Sequence, residues 1–116
     1  MDFKFINPGY LESVTGGDKE IMQELVDMFR EQAIEVTLEM KSLLANKEYF
    51  TLGLLAHKAK SSVAIIGMAD LATMLKTFEL EAKEGRETGM YATYVSRFES
   101  ETKSAVEELE KYVSNL

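Results

Sequence analysis

The stretch "IMQELVDMFREQAIEVTLEMKSLL", residues 21–44, sets the fold class. Ile21, Leu25, Met28, Phe29, Val36, Met40 and Leu43 recur mostly at steps of three and four residues. That spacing draws one apolar stripe along a helix of about seven turns. Neither proline nor glycine interrupts it. Asp18 closes the "TGGD" turn at 15–18 and is placed to cap the helix with its carboxylate.

Outward from this helix, the rest of the chain repeats the pattern. A short helical segment precedes it, around Pro8 to Val14. Downstream, Asn46 is read as the cap of a second long helix that runs to about Gly67. A third places Leu71, Met74, Leu75, Phe78 and Ala82 on one face and stops near Gly85. The last begins near Gly89 and carries Tyr91, Tyr94, Val95, Phe98, Ala105, Val106, Leu109, Tyr112 and Val113. No run of alternating β-branched residues suggests a strand. Four amphipathic helices with short links favour antiparallel neighbours. The expectation is all-α: an antiparallel up-down-up-down four-helix bundle with a short N-terminal helical segment, one domain over residues 1–116.

Composition narrows the function classes. Thirteen Lys and Arg stand against twenty Asp and Glu, a net charge of −7, which disfavours nucleic acid as a partner. Cysteine is absent, so disulfides and thiolate metal sites are excluded. There is one histidine, and position 54, three before it, is leucine; the Glu-x-x-His pairs of helical metal centres are missing, and no metal is expected. No apolar run is long enough to cross a membrane, and "MDFKFINPGY" lacks the features of a signal peptide. A cytoplasmic monomer is the expectation. The acidic runs "FELEAKE" and "EELEK" read as solvated faces, and Met28, Met40 and Met74 as core.

The single histidine sits in "LLAHKAKSSVAIIG", residues 54–67. At about 100° per residue, His57 falls opposite Ile66, and Leu52, Leu55, Ala59, Ser62 and Val63 flank the latter as a core stripe. His57 is therefore expected to face solvent, ringed by Gly53, Leu54, Lys60 and Ser61, with Phe50 and Ala64 one turn further and Ile65 at the flank. Gly53 costs a helix interior about 1 kcal/mol relative to alanine, which suggests room left for a docking partner. An exposed neutral imidazole keeps a lone pair and attacks phosphorus. Lys60 would meet phosphoryl oxygens and Lys58 would add field. From the residues alone a second reading stands beside this one: an ordinary solvated helix face.

"AHKAKSSVAIIGMADL" resembles the signature of histidine-containing phosphotransfer (HPt) domains, with His57, Lys60, Ser62, Gly67 and Leu71 at matching places. "YLESVTGGDKEIMQELVDMFREQ" is similar to the family's first turn and helix, and "FELEAKEG" to its Leu-Glu segment and following basic position, here Lys83. Three positions depart: Ser61 stands where glycine is usual, Val63 replaces a small residue and Met68 replaces alanine. The hydroxyl of Ser61 narrows the approach to His57 and could contact a phosphoryl group. The resemblance implies a four-helix bundle whose histidine accepts a phosphoryl group from a receiver-domain aspartyl-phosphate and passes it to another receiver. It implies a covalent carrier without kinase activity or cofactor, with Mg²⁺ on the partner. The alternative is a phosphorylation-incompetent bundle that docks receivers through Phe50, Gly53, Leu54, Ala64 and Ile65.

Overall fold

The uninterrupted run predicted around residues 21–44 becomes the longest helix in the computed structural model, which describes residues 3–116. The elements are α1 (Pro8–Thr15), α2 (Lys19–Ala45), α3 (Tyr49–Ile66), α4 (Ala69–Glu84) and α5 (Tyr91–Ser114), with a 3₁₀ turn at Thr88–Met90 leading into α5. Among the described residues there is no strand. No helix among them is long and apolar enough to cross a membrane.

Local chemistry sets the helix ends. Asp18 accepts the Ile21 N–H at 3.1 Å, as the sequence predicts, and Asn7 accepts the Tyr10 N–H at 3.1 Å ahead of Pro8. α3 and α4 stop at Gly67 (φ 89°) and Gly85 (φ 66°), left-handed positions that glycine occupies without steric cost. Asn46 corrects one expectation. It closes α2 rather than opening α3, its N–H donating to Ser42 O at 3.0 Å, because its backbone stays near helical values. Glu48 takes the position before α3 and makes no side-chain cap.

Buried apolar residues from all five helices, with Ile6 and Met68, form one cluster. In the first half of α2 the buried residues are Met22, Val26 and Phe29; of the predicted Ile21, Leu25, Met28 and Phe29, Phe29 is buried and Leu25 packs partly buried against the core. Ile21 and Met28 are exposed, Met28 by 57%; Met40 and Met74 are core as expected. This helix is apolar over two adjacent stripes, and it buries the one its neighbours cover. Tyr91 is wholly buried, its ring edge-on to Tyr49 at 5.2 Å and its hydroxyl donating to Glu81 O at 2.9 Å, which ties the start of α5 to the end of α4.

Across α2 and α5, Arg30 pairs with Glu110 and Lys41 with Glu99, each at 2.9 Å, so residue numbers rise along one helix as they fall along the other. The same reversal holds between α3 and α4, where Gly53 faces Lys83 and His57 faces Glu79. The segment before α1 is held on α5 by Glu108, whose carboxylate accepts the N–H groups of Lys4, Phe5 and Ile6 at 2.9–3.2 Å. α3 and α4 make the most extensive contact of any two helices, and the candidate site lies on that seam.

Candidate functional site

His57 lies on the exposed side of α3, its side chain 60% accessible. Leu52, Leu55, Ala59, Val63 and Ile66 are buried on the other side, so the helical wheel places the imidazole correctly. What the wheel omits is α4. Buried positions on α3 also include Ala56 and Gly53, which brings α4 against the flank of the imidazole.

Gly53 is the contact point. A Cβ there would lie 2.9 Å from Lys83 Cγ, 3.0 Å from Glu79 O and 3.1 Å from Lys83 N. The expectation that Gly53 leaves space for a partner is therefore corrected: it is buried and lets the α4 backbone approach α3. One turn along, that approach delivers Glu79. Both its carboxylate oxygens lie 3.0 Å from His57 Nδ1. Lys83 Nζ donates to Glu79 Oε2 at 2.8 Å, and Lys60 Nζ sits 3.7 Å from Oε1.

Glu79 is only 7% exposed, although its run reads in the sequence as a solvated face. A buried carboxylate is stable only when charge and hydrogen bonds compensate its desolvation. Here they do. The hydrogen bond from Lys83 first, then the hydrogen bond and charge of His57, hold the Glu79 carboxyl down to about 2 against the opposing effect of burial. The ionised carboxylate has only acceptors, so the contact at 3.0 Å requires the proton on Nδ1. When the ring is neutral, its lone pair is then on Nε2.

This arrangement carries a pH prediction. The folded-state value of about 2 lies below the ordinary 4.5, so ionised Glu79 contributes its stabilisation fully above about pH 4.5 and loses it as pH falls toward 2. Thermal melts from pH 7 to pH 2.5 should show a shallower acid decline for Glu79→Gln than for the parent. Equal declines would mean that the carboxylate is not coupled to the fold in this way.

The other predicted residues divide between seam and surface. Lys60 and Lys83 are half-buried around Glu79. Lys58 and Ser61 are exposed, and neither side chain has an ion pair or hydrogen bond among the described residues. Phe50, Leu54 and Ile65 are exposed apolar groups on α3, with Ala64 exposed between them and Leu80 of α4 also exposed. Glu79 is the site residue that the sequence reading missed. A wheel drawn on α4 carries the signal: Glu79 lies about 40° from Leu75, on the edge of the apolar stripe, with Lys83 at i+4.

Among the described residues, no three His, Asp or Glu side chains converge as a metal site would require. Chemically, the seam offers one exposed nucleophilic nitrogen, a fixed counter-charge behind it and ammonium groups beside it. Comparison of the chain with family models, with curated proteins and with solved structures finds no match.

Proposed function

We propose that the chain is a phosphoryl carrier of the HPt type, an antiparallel up-down-up-down four-helix bundle acting between receiver domains. The observation that carries this reading is the exposed imidazole of His57, hydrogen-bonded through Nδ1 to a buried carboxylate that Lys83 and Lys60 flank. In the reaction, the Nε2 lone pair attacks the phosphorus of a receiver's aspartyl-phosphate. The bond from phosphorus to the aspartyl oxygen breaks, and the aspartate leaves with the electron pair. The ring becomes cationic while Nδ1 keeps its proton, and Glu79 stabilises that charge. Transfer to a second receiver reverses these steps.

Lys60, whose Nζ lies 3.7 Å from Glu79 Oε1, would contact the oxygens of the transferred phosphoryl group; Lys58 adds positive field. The partner's chemistry is matched by the face itself. None of the chain's twenty acidic residues lies within Tyr49–Ile66, while Lys58, Lys60 and the apolar Phe50, Leu54, Ala64 and Ile65 do. A receiver pocket of carboxylates and Mg²⁺ fits such a basic, apolar-rimmed surface. The chain itself serves as a carrier in the cytoplasm without kinase activity.

The test is transfer from a ³²P-phosphorylated receiver domain, with acid-labile label appearing on this chain. Label that never appears with any cognate receiver, while binding persists, would assign the bundle to docking alone. Lys60→Ala should slow transfer by about 10- to 100-fold, the equivalent of one charge-assisted hydrogen bond of about 1.5–3 kcal/mol. Helicity should not change, and an unchanged rate would remove Lys60 as a phosphoryl contact.

A further inference from the structure

Two ammonium groups face the buried carboxylate behind His57, and they face it unequally. Lys83 Nζ donates to Glu79 Oε2 at 2.8 Å, the length of a charge-assisted hydrogen bond. Lys60 Nζ stands 3.7 Å from Oε1, beyond hydrogen-bond reach. The difference follows from where each side chain starts. Lys83 lies four residues after Glu79 on α4, the order in which a glutamate and a lysine on one helix pair best. Its stem is also confined. A Cβ built at Gly53 would come within 2.9 Å of Lys83 Cγ, so the stem runs against α3 where it leaves its own helix. A side chain already held by packing gives up little rotamer freedom when its end forms a hydrogen bond. Lys60 reaches over from α3 and makes no hydrogen bond among the described residues.

Charge gives the consequence. Glu79 is ionised, and Lys83 matches its single negative charge, so the ammonium of Lys60 is left over at the seam. An ammonium without a hydrogen-bond partner keeps all three donors for an arriving anion. Resting on the carrier reading, we propose that the two lysines divide the work: Lys83 is the positioning residue that holds Glu79 against His57, and by doing so it keeps Lys60 free for the phosphoryl group. Lys60 would have to approach Oε1 by only about 1 Å to make such a bond itself. Without Lys83 it is drawn there, because a buried carboxylate short of a partner is costly. Lys83 therefore acts on phosphoryl transfer through Glu79 and Lys60.

Lys83→Met separates the two roles. Methionine keeps an unbranched stem against Gly53, removes the ammonium and is a good helix former, so the variant should fold. The first readout needs no phosphate. By ¹³C relaxation at the lysine Cε groups, the parent should show Lys83 ordered and Lys60 mobile. In Lys83→Met, Lys60 should become ordered; in Lys83→Arg, whose guanidinium can donate to the same oxygen, it should stay mobile. A Lys60 side chain equally mobile in Lys83→Met and the parent would overturn the proposal. The second readout is acceptance of label from a phosphorylated receiver. Lys83→Met should slow it by about 10- to 100-fold, to the level of Lys60→Ala, and the double variant should be no slower than either. Lys83→Arg should recover the parent rate. Losses that multiply in the double variant, or an arginine variant as slow as the methionine one, would also overturn it. A parent that takes no label defeats the carrier reading instead, and the relaxation of Lys60 then still decides whether Lys83 keeps it off the carboxylate.

Discussion

His57→Gln is expected to accept no phosphoryl group from a phosphorylated receiver, a fall of at least ~10³-fold, since a carboxamide offers no nucleophilic nitrogen. No second imidazole exists to take over, because His57 is the chain's only histidine. The variant also isolates chemistry from folding. Glutamine keeps an N–H donor that can reach Glu79, and the carboxylate retains Lys83 at 2.8 Å. The replaced side chain is 60% exposed, so little apolar contact is lost. Melting within about 3 °C of the parent is the corresponding expectation for an exposed substitution. Acid-labile label that persists in the variant would place the acceptor on another residue.

Gly53→Leu should be the most destabilising of the substitutions considered. Even a Cβ at this position would press on the α4 backbone at Glu79 O and Lys83 N, and backbone atoms cannot rotate away as a side chain does. The helices must separate. Overpacking of a tight contact typically costs about 1–3 kcal/mol, and the gain of about 1 kcal/mol in helix propensity offsets only part of it. A fall in melting temperature of roughly 3–10 °C follows. The function should suffer with the fold, because the shift that accommodates the new side chain carries Glu79 away from His57. Gly53→Ala, with the same clash but a smaller side chain, should show a milder form of both effects. If the leucine variant melts at or above the parent temperature, the close approach of α3 and α4 is not what fixes the site.

The two readings of Gly53 show where a sequence stops being legible. Periodicity on one helix locates its apolar face, and it found the number and rough extent of the long helices and the exposure of His57. It does not say how wide an arc a neighbouring helix will cover. Gly53 lies close to His57 on the wheel, yet α4 buries one and leaves the other open. The same limit explains α2, where Ile21 and Met28 looked as core-like as Met22 and Val26 until the neighbours chose between them. Glu79 was hidden for a related reason. An acidic residue within "FELEAKE" is usually solvated, and only the approach of α3 at Gly53 turns it into a buried anion with three partners. The stop signals Gly67 and Gly85 and the Asp18 cap were legible because their chemistry is local. Asn46 was not, since a single asparagine can end one helix as readily as begin the next.

Ser61, four residues after His57, is the departure from the HPt pattern nearest to it along α3. Its side chain is exposed and uncommitted among the described residues, so the hydroxyl is available to an incoming phosphoryl group.

Glu79 occupies the proximal ring nitrogen, and the proposed function puts the phosphoryl group on the distal one. Phosphorylated chain, labelled with ¹⁵N at the histidine ring, reports this directly through phosphorus–nitrogen and proton–nitrogen correlations. The predicted result is phosphorus bonded to Nε2, with a proton retained on Nδ1. Phosphorus on Nδ1, or a labelled protein whose imidazole carries no phosphorus at all, would contradict it.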